Sequence, residues 1–157
     1  MMKLDQQSSG SVHWSRQQYD GIFAKSDPQL CERFALVAED TFETQHAMAA
    51  GGPQHPILAF LAAQRVDKEW GLENIVVAEN SRRRGLAVRL LGELVDHVRM
   101  KQGRSIFLEV RESNQAARAL YCRVGFVETR TRKSYYSNPP ENAILYQLSL
   151  SHNEIAP

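Results

Sequence analysis

The stretch Val77–Leu91, VAENSRRRGLAVRLL, decides how the chain is read. It continues an apolar run through Ile75, Val76 and Val77, as a strand end does. It turns through Ala78-Glu79-Asn80-Ser81 and Arg82-Arg83-Arg84-Gly85-Leu86-Ala87. Apolar residues then recur at Ala87, Leu90, Leu91, Leu94, Val95 and Val98, at intervals of three and four that make one helical face. The predicted join is strand, small-residue loop, helix N-terminus. The first N–H groups of a helix have no partner within it, and its dipole adds partial positive charge there. Gly85 and Ala87 leave room for a ligand to approach the backbone. Such a site suits a phosphate or pyrophosphate; the plain alternative is a helix start with a solvated basic turn.

The 157 residues fit one domain with a real core, and 43% hydrophobic with 24% charged residues is ordinary globular composition. A formal net charge of +1 argues in bulk neither for nor against nucleic acid. Neither Cys31 nor Cys122 has metal or redox spacing, so each is expected as a buried or half-buried free thiol. His13, His46, His55, His97 and His152 form no pair at helical spacing, and no metal site is expected. The N-terminal MMKLDQQSSGS has no hydrophobic signal core, and no apolar run approaches the ~20 residues of a membrane span. The expected location is cytoplasmic, with no membrane partner.

In chain order, residues 1–13 read as a polar, poorly ordered segment with a fragment of helix at Lys3–Gln7, and one domain runs over 14–151. Trp14-Ser15 opens a helix in which Ser15 and Gln18 can form a capping box, and Asp27-Pro28 ends it. Strands are predicted at Arg33–Glu39, Ile57–Val66 and Trp70–Ala78, as an antiparallel meander with a long loop over 40–56. The helix from about Arg83 to Gln102 ends at Gly103 as its C′ residue. Strand Ser105–Arg111 should run parallel to the one before the helix, as in any strand–crossover–strand unit. A helix capped at Ser113-Asn114 runs to Val124. Strands Phe126–Tyr135 and Ile144–Leu150 follow, joined by a loop at Asn138-Pro139-Pro140-Glu141.

Arg82-x-x-Gly85-x-Ala87 after a strand resembles the acyl-CoA pyrophosphate loop of the GNAT acetyltransferases. Leu108-Glu109-Val110-Arg111, Ser113-Asn114, Ala116-Ala117, Ala119-Leu120-Tyr121 and Gly125-Phe126 form a second string. It is similar to the bacterial ribosomal-protein-alanine N-acetyltransferases (RimI type), and Arg130–Tyr136, RTRKSYY, resembles their basic strand ending in paired tyrosines. The two motifs stand in the right order and separation, and the likeness runs from about Trp14 to Leu150. It implies an α/β, three-layer GNAT fold with a mixed, mostly antiparallel sheet and two splayed central parallel strands holding acetyl-CoA between them. Implied cofactor contacts are Ile75, Val76, Val77, Arg82, Arg83, Arg84, Gly85, Leu86, Ala87, Val88 and Asn114. The implied proton acceptor is Glu109 and the proton donor Tyr121, with Tyr135 and Tyr136 walling the acceptor pocket. The implied reaction moves an acetyl group from acetyl-CoA to a protein N-terminal α-amine; alternatives are a small amine or amino acid as acceptor, or an acyl-CoA-binding module without turnover.

The residue types suit that chemistry. An amine must lose a proton to attack a thioester, which a carboxylate can accept. A departing thiolate needs a proton, which a phenol can give, and a backbone N–H at the strand end can stabilise the oxyanion. Strand alternation turns Glu109 away from the face of Leu108 and Val110. Each site residue also has a structural alternative: Glu109 as the ion-pair partner of Arg111 or another arginine, Tyr121 as a core tyrosine. Glu73, on the strand before the loop, is a rival base or a solvated strand residue. Arg82–Arg84 and Arg130/Arg132/Lys133 could be read as a nucleic-acid patch, but alternation favours a solvated outer strand, and no nucleic-acid partner is expected. Against the family pattern, a first strand and most of a first helix are expected to be missing before Trp14. That would leave Arg33–Glu39 partnerless on one side and make a homodimer conceivable.

Overall fold

The computed structural model describes residues 1–6, 15–23, 32–40 and 55–150. Trp14, the Asp27-Pro28 stop, Cys31, three of the histidines (13, 46 and 152) and the loop over 41–54 lie outside them. Two short helices come first, α1 (Met2–Gln6) and α2 (Arg16–Phe23). The capping box starts α2: Ser15 N–H donates to Gln18 Oε1 at 2.8 Å and Gln18 N–H to Ser15 Oγ at 3.4 Å.

Six strands make one sheet: β1 (Glu32–Glu39), β2 (Ile57–Val66), β3 (Glu69–Val77), β4 (Ser105–Arg111), β5 (Val127–Ser137) and β6 (Pro140–Ser149). Their order is β1-β2-β3-β4-β6-β5, with β3 and β4 parallel and every other neighbouring pair antiparallel. Helix α3 (Leu86–Met100) crosses from β3 to β4, and α4 (Gln115–Val124) follows β4.

The sheet is buried on both faces in its middle, and β2 shows why its sequence is nearly all apolar. Ala59, Leu61 and Ala63 join the main core with Leu90, Leu91, Leu94 and Val98 of α3. Phe60 and Ala62 point the other way, into a smaller cluster with Tyr19 of α2, and Met1, Met2 and Leu4 pack against it. The Tyr19 ring stands edge-on to Phe60, centroids 6.0 Å apart.

One irregularity bends β3. Ala62 pairs with Asn74 but Ala63 pairs with Leu72, which leaves Glu73 as the extra residue of a bulge. A bulge bends its strand and increases local twist. The parallel ladder with β4 runs from Glu69↔Ser105 to Leu72↔Leu108 and stops at that point. Beyond it β3 continues to Val77 and β4 to Arg111 as two arms of a fork.

Several boundaries differ from the sequence expectation. Helix α3 begins at Leu86 rather than Arg83, because Arg83 and Gly85 both take positive φ (62° and 80°) and cannot be helical. At its other end Gln102, with φ 55°, is the left-handed residue expected at Gly103. Gly103 is required for space: a Cβ there would meet Val98 Cγ1 at 2.4 Å. The loop expected over Asn138–Glu141 shrinks to a turn at 138–139, with Pro140 and Glu141 already in β6. Cys122 is exposed, since α4 gives Ala117, Leu120, Tyr121 and Val124 to the core and Cys122 lies off that stripe. Among the described residues no helix is long and apolar enough to cross a membrane.

Candidate active site

A cavity of about 840 Å³ fills the fork. One wall is β3 from Leu72 to Val77, the other is β4 from Leu108 to Arg111, and the loop before α3 and one side of α4 close the ends.

The loop end is built from backbone. A 3₁₀ turn at Glu79–Ser81 buries Ser81 to 2% exposure. Arg82 is extended, Arg83 and Gly85 are left-handed, and α3 then starts. Arg89 N–H is bonded to Gly85 O at 3.0 Å, so the amides of Leu86, Ala87 and Val88 precede the first intrahelical bond. All three residues line the cavity with Arg82, Arg83 and Gly85. Arg82 braces the turn: its Nε lies 3.4 Å from Val77 O and its Nη1 3.7 Å from Glu79 Oε1. Arg84 is exposed and is not part of the lining.

The fork carries the titratable groups. Leu108 and Val110 are in the main core, while Glu109 alternates to the other face and reaches the cavity half-buried. Its carboxylate accepts a hydrogen bond from Arg132 Nη1 of β5 at 2.6 Å. Arg111, the neighbour that alternation offers as a partner, is engaged elsewhere. Its Nη1 pairs with Glu141 Oε2 at 3.1 Å, its Nη2 donates to Asn138 O at 3.0 Å, and its guanidinium lies 4.1 Å from the Tyr136 ring centroid. Arg111 thereby fastens the β5–β6 turn and sets Tyr136 against the cavity. Glu141 also accepts the Ser113 N–H, which with the Arg111 ion pair holds its carboxyl below the usual range.

Tyr121 of α4 is 6% exposed, edge-on to Phe126 at 5.8 Å and tilted against Tyr146 at 6.1 Å. It lines the cavity, and burial, with the nearby Tyr136, raises its phenol well above the ordinary value. A phenol so placed stays protonated and has a proton to donate. Tyr136 is raised as well, first by burial and then by Glu109. Tyr135 is exposed and outside the lining; its ring sits under the Arg132 guanidinium at 4.2 Å. Its hydroxyl is raised chiefly by a hydrogen bond to Glu109, with burial adding.

Glu73, the bulge residue, also lines the cavity. Burial raises its carboxyl and Arg33, at 4.0 Å, works in the opposite direction. Asn114 does two things: its side chain accepts the Ala117 N–H at 3.1 Å as the cap of α4, and the residue lines the cavity. Ile75, Val76 and Val77 supply apolar wall.

The cavity includes residues that sequence reasoning passed over. Ala116, Ala119, Leu120 and Arg123 form a stripe along α4, and small residues at i and i+3 with an arginine at i+7 were a usable signal. Asn74 carried no such signal, because its place depends on the bulge beside it.

The set fits a long, anionic, partly apolar ligand: free helix amides and two arginines at one end, apolar strand and alanine surface between, and a carboxylate and a phenol at the fork. The chain is similar to known proteins of matching build. It is 41% identical over 95 residues to the ribosomal protein bS18-alanine N-acetyltransferase of Salmonella typhimurium, covering 59% of this chain and 64% of that protein. The Escherichia coli K12 protein of the same name is 40% identical with the same coverage. The crystal structure of the ribosomal-protein-S18-alanine N-acetyltransferase from Escherichia coli superposes with a TM-score of 0.75 and 26% identity, covering 99% of this chain and 90% of that one. The acetyltransferase (GNAT) family model matches residues 10–126, and with the forked sheet and its amide-lined loop this places the chain in the GNAT acetyltransferase family.

Proposed function

We propose that this protein transfers an acetyl group from acetyl-CoA to a primary amine, and that the amine is the N-terminal α-amine of a protein, of the ribosomal-protein-alanine kind. One observation carries the reading: Glu109, Tyr121 and the first-turn amides of α3 all border a single cavity between two strands that part at Leu72 and Leu108. The names of the relatives supply the acceptor class.

In this reading the amides of Leu86, Ala87 and Val88 and the guanidinium of Arg83 hold the pyrophosphate, with Arg82 bracing the loop. Ile75 and Val77 wall the arm that leads to the thioester, beside Asn114. Bound acetyl-CoA supplies the activated acyl group. Glu109 accepts the proton of the acceptor ammonium, directly or through a water, and the freed amine attacks the thioester carbonyl. A backbone N–H at the end of β3 stabilises the oxyanion. As the carbon–sulfur bond breaks Tyr121 gives its proton to the sulfur; the nitrogen loses its second proton through solvent, from which Tyr121 is reprotonated, and Glu109 releases the first to solvent. No covalent enzyme intermediate is needed.

The test uses acetyl-CoA thermal stabilisation and thiol release with an Ala-initiated peptide. Stabilisation and release are expected from the wild type. Glu109→Gln and Tyr121→Phe should each lower turnover by about 10²–10⁴ while acetyl-CoA still stabilises the protein. Both variants turning over at near wild-type rates would remove the site assignment. Release with polyamines but not peptides would move the acceptor to small amines, and stabilisation without release would leave a binding module.

A further inference from the structure

We propose that Asn74 binds the acceptor: its side-chain amide donates a hydrogen bond to the carbonyl oxygen of the residue whose α-amine reacts. The inference rests on the acetyl-transfer reading above and adds to it how an α-amine on a peptide is told from a bare amine.

Asn74 is 8% exposed, and its Nδ2 has no hydrogen-bond partner among the described residues. Burying an amide donor unpaired is costly, so its site calls for a partner. The residue lines the same cavity as Glu109 and Tyr121 and follows the bulge residue Glu73, where β3 leaves β4. Rotation about asparagine's broad terminal torsion can present Nδ2 to a ligand without moving the backbone.

The face on which Asn74 lies selects the ligand. Its ladder partner is Ala62, and Ala62, Phe60 and Val76 form the cluster on the α1–α2 side of the sheet. Glu109 lies on that side too, because its neighbours Leu108 and Val110 both belong to the core on the α3 side. Ile75 and Val77 point to the α3 side, against that core. Across the fork, then, Asn74 shares its face with the residue assigned to take the acceptor's proton. In an aminoacyl N-terminus the amine nitrogen and the first carbonyl are joined through one Cα. A carboxylate acting on the nitrogen and an amide holding the oxygen fix the direction in which the amine presents its lone pair. A polyamine has no oxygen to offer.

The experiment compares an Ala-initiated peptide with its analogue in which the first peptide bond is replaced by a trans-alkene. That replacement keeps the planar geometry and adds no charge. Wild type, Asn74→Ala and Asn74→Asp are assayed by thiol release, and acetyl-CoA thermal stabilisation reports whether each is folded. Wild type should favour the peptide by roughly 10-fold or more in kcat/KM. Both variants should lose that preference, slowing on the peptide and hardly changing on the alkene. Equal slowing on both substrates, or a wild type that turns the two over alike, would overturn the proposal. Failure of acetyl-CoA to stabilise either variant would also overturn it, by showing that Asn74 supports the fold. A wild type stabilised by acetyl-CoA but inactive on both substrates would overturn the acetyl-transfer reading itself, and is told apart by that pattern.

Discussion

At the scale of single residues, the two carboxylates at the fork divide by their surroundings. Glu109 is held by Arg132 at 2.6 Å, while Glu73 sits in the bulge with its nearest cation, Arg33, at 4.0 Å. Burial raises the Glu73 carboxyl, so in the folded state it keeps its proton to higher pH than in the unfolded chain. The folded state then binds more protons in that window, and the contribution of Glu73 to stability is present below its unfolded value and lost as pH rises through its folded value. Relative to Glu73→Gln, the wild type should lose stability as pH rises above the ordinary glutamate value of about 4.3, read from urea midpoints at each pH. In turnover Glu109→Gln should cost more than Glu73→Gln; the reverse order would make Glu73 the base. Strand alternation was enough to read which way Glu109 points. Its partner was not legible, because Arg132 comes from β5, 23 residues further on, across β6.

At the scale of elements, α3 carries two glycines of opposite kind. Gly103, just past its end, faces Val98 Cγ1 at 2.4 Å and Trp70 Cδ1 and Nε1 at 3.0 Å from where a Cβ would lie. Gly103→Ala should destabilise the protein by about 1–3 kcal/mol through overpacking. Gly92, mid-helix, has nothing within 4 Å of its would-be Cβ. Gly92→Ala should stabilise by about 0.5–1 kcal/mol by restricting the unfolded chain. Denaturant titration of the two variants checks both signs. The helix itself was legible from its apolar period, whereas its first turn was not. Arg83 and Gly85 have the composition of a helix start, and only their left-handed conformations make them the loop before one. The β5–β6 turn was read as too long for a similar reason. Two prolines signal a break, but Arg111 bonded to Asn138 O and Glu141 tightens the turn from another strand.

At the scale of the whole molecule, the end of the sheet away from the fork is closed by a cluster drawn from four elements. His97 of α3 stacks on Phe34 of β1 at 3.8 Å and stands edge-on to Trp70 of β3 at 5.2 Å. Glu32 accepts from Lys101 at 2.9 Å and lies 3.5 Å from Arg65 and 3.9 Å from His97. Burial opposes ionisation of Glu32, but these cations outweigh it and lower its carboxyl. Burial lowers the His97 imidazole; Glu32 acts against this and Lys101 with it. A histidine whose folded value lies below its unfolded one gives stability that is full above about pH 6.5 and is lost as pH falls through the folded value. The unfolding free energy should therefore drop from pH 7.5 to 5.5. His97→Phe, which keeps the stack and removes the titration, should show a flatter profile; an unchanged profile would place the dependence elsewhere.

The chain's own sequence determined the succession of elements, the parallel pair around α3, the amide-lined loop and the family to which they belong. Those rest on local periodicity and on the order and separation of motifs, which a linear string displays. What only the tertiary structure decided is how the strands part. The bulge that leaves Glu73 unpaired ends the β3–β4 ladder at Leu72 and Leu108, and that opens the cavity. It also moves Asn74 onto the same face as Glu109. A register shift of one residue exchanges the faces of a strand, and the register is set by pairing with β2, not by any motif within β3.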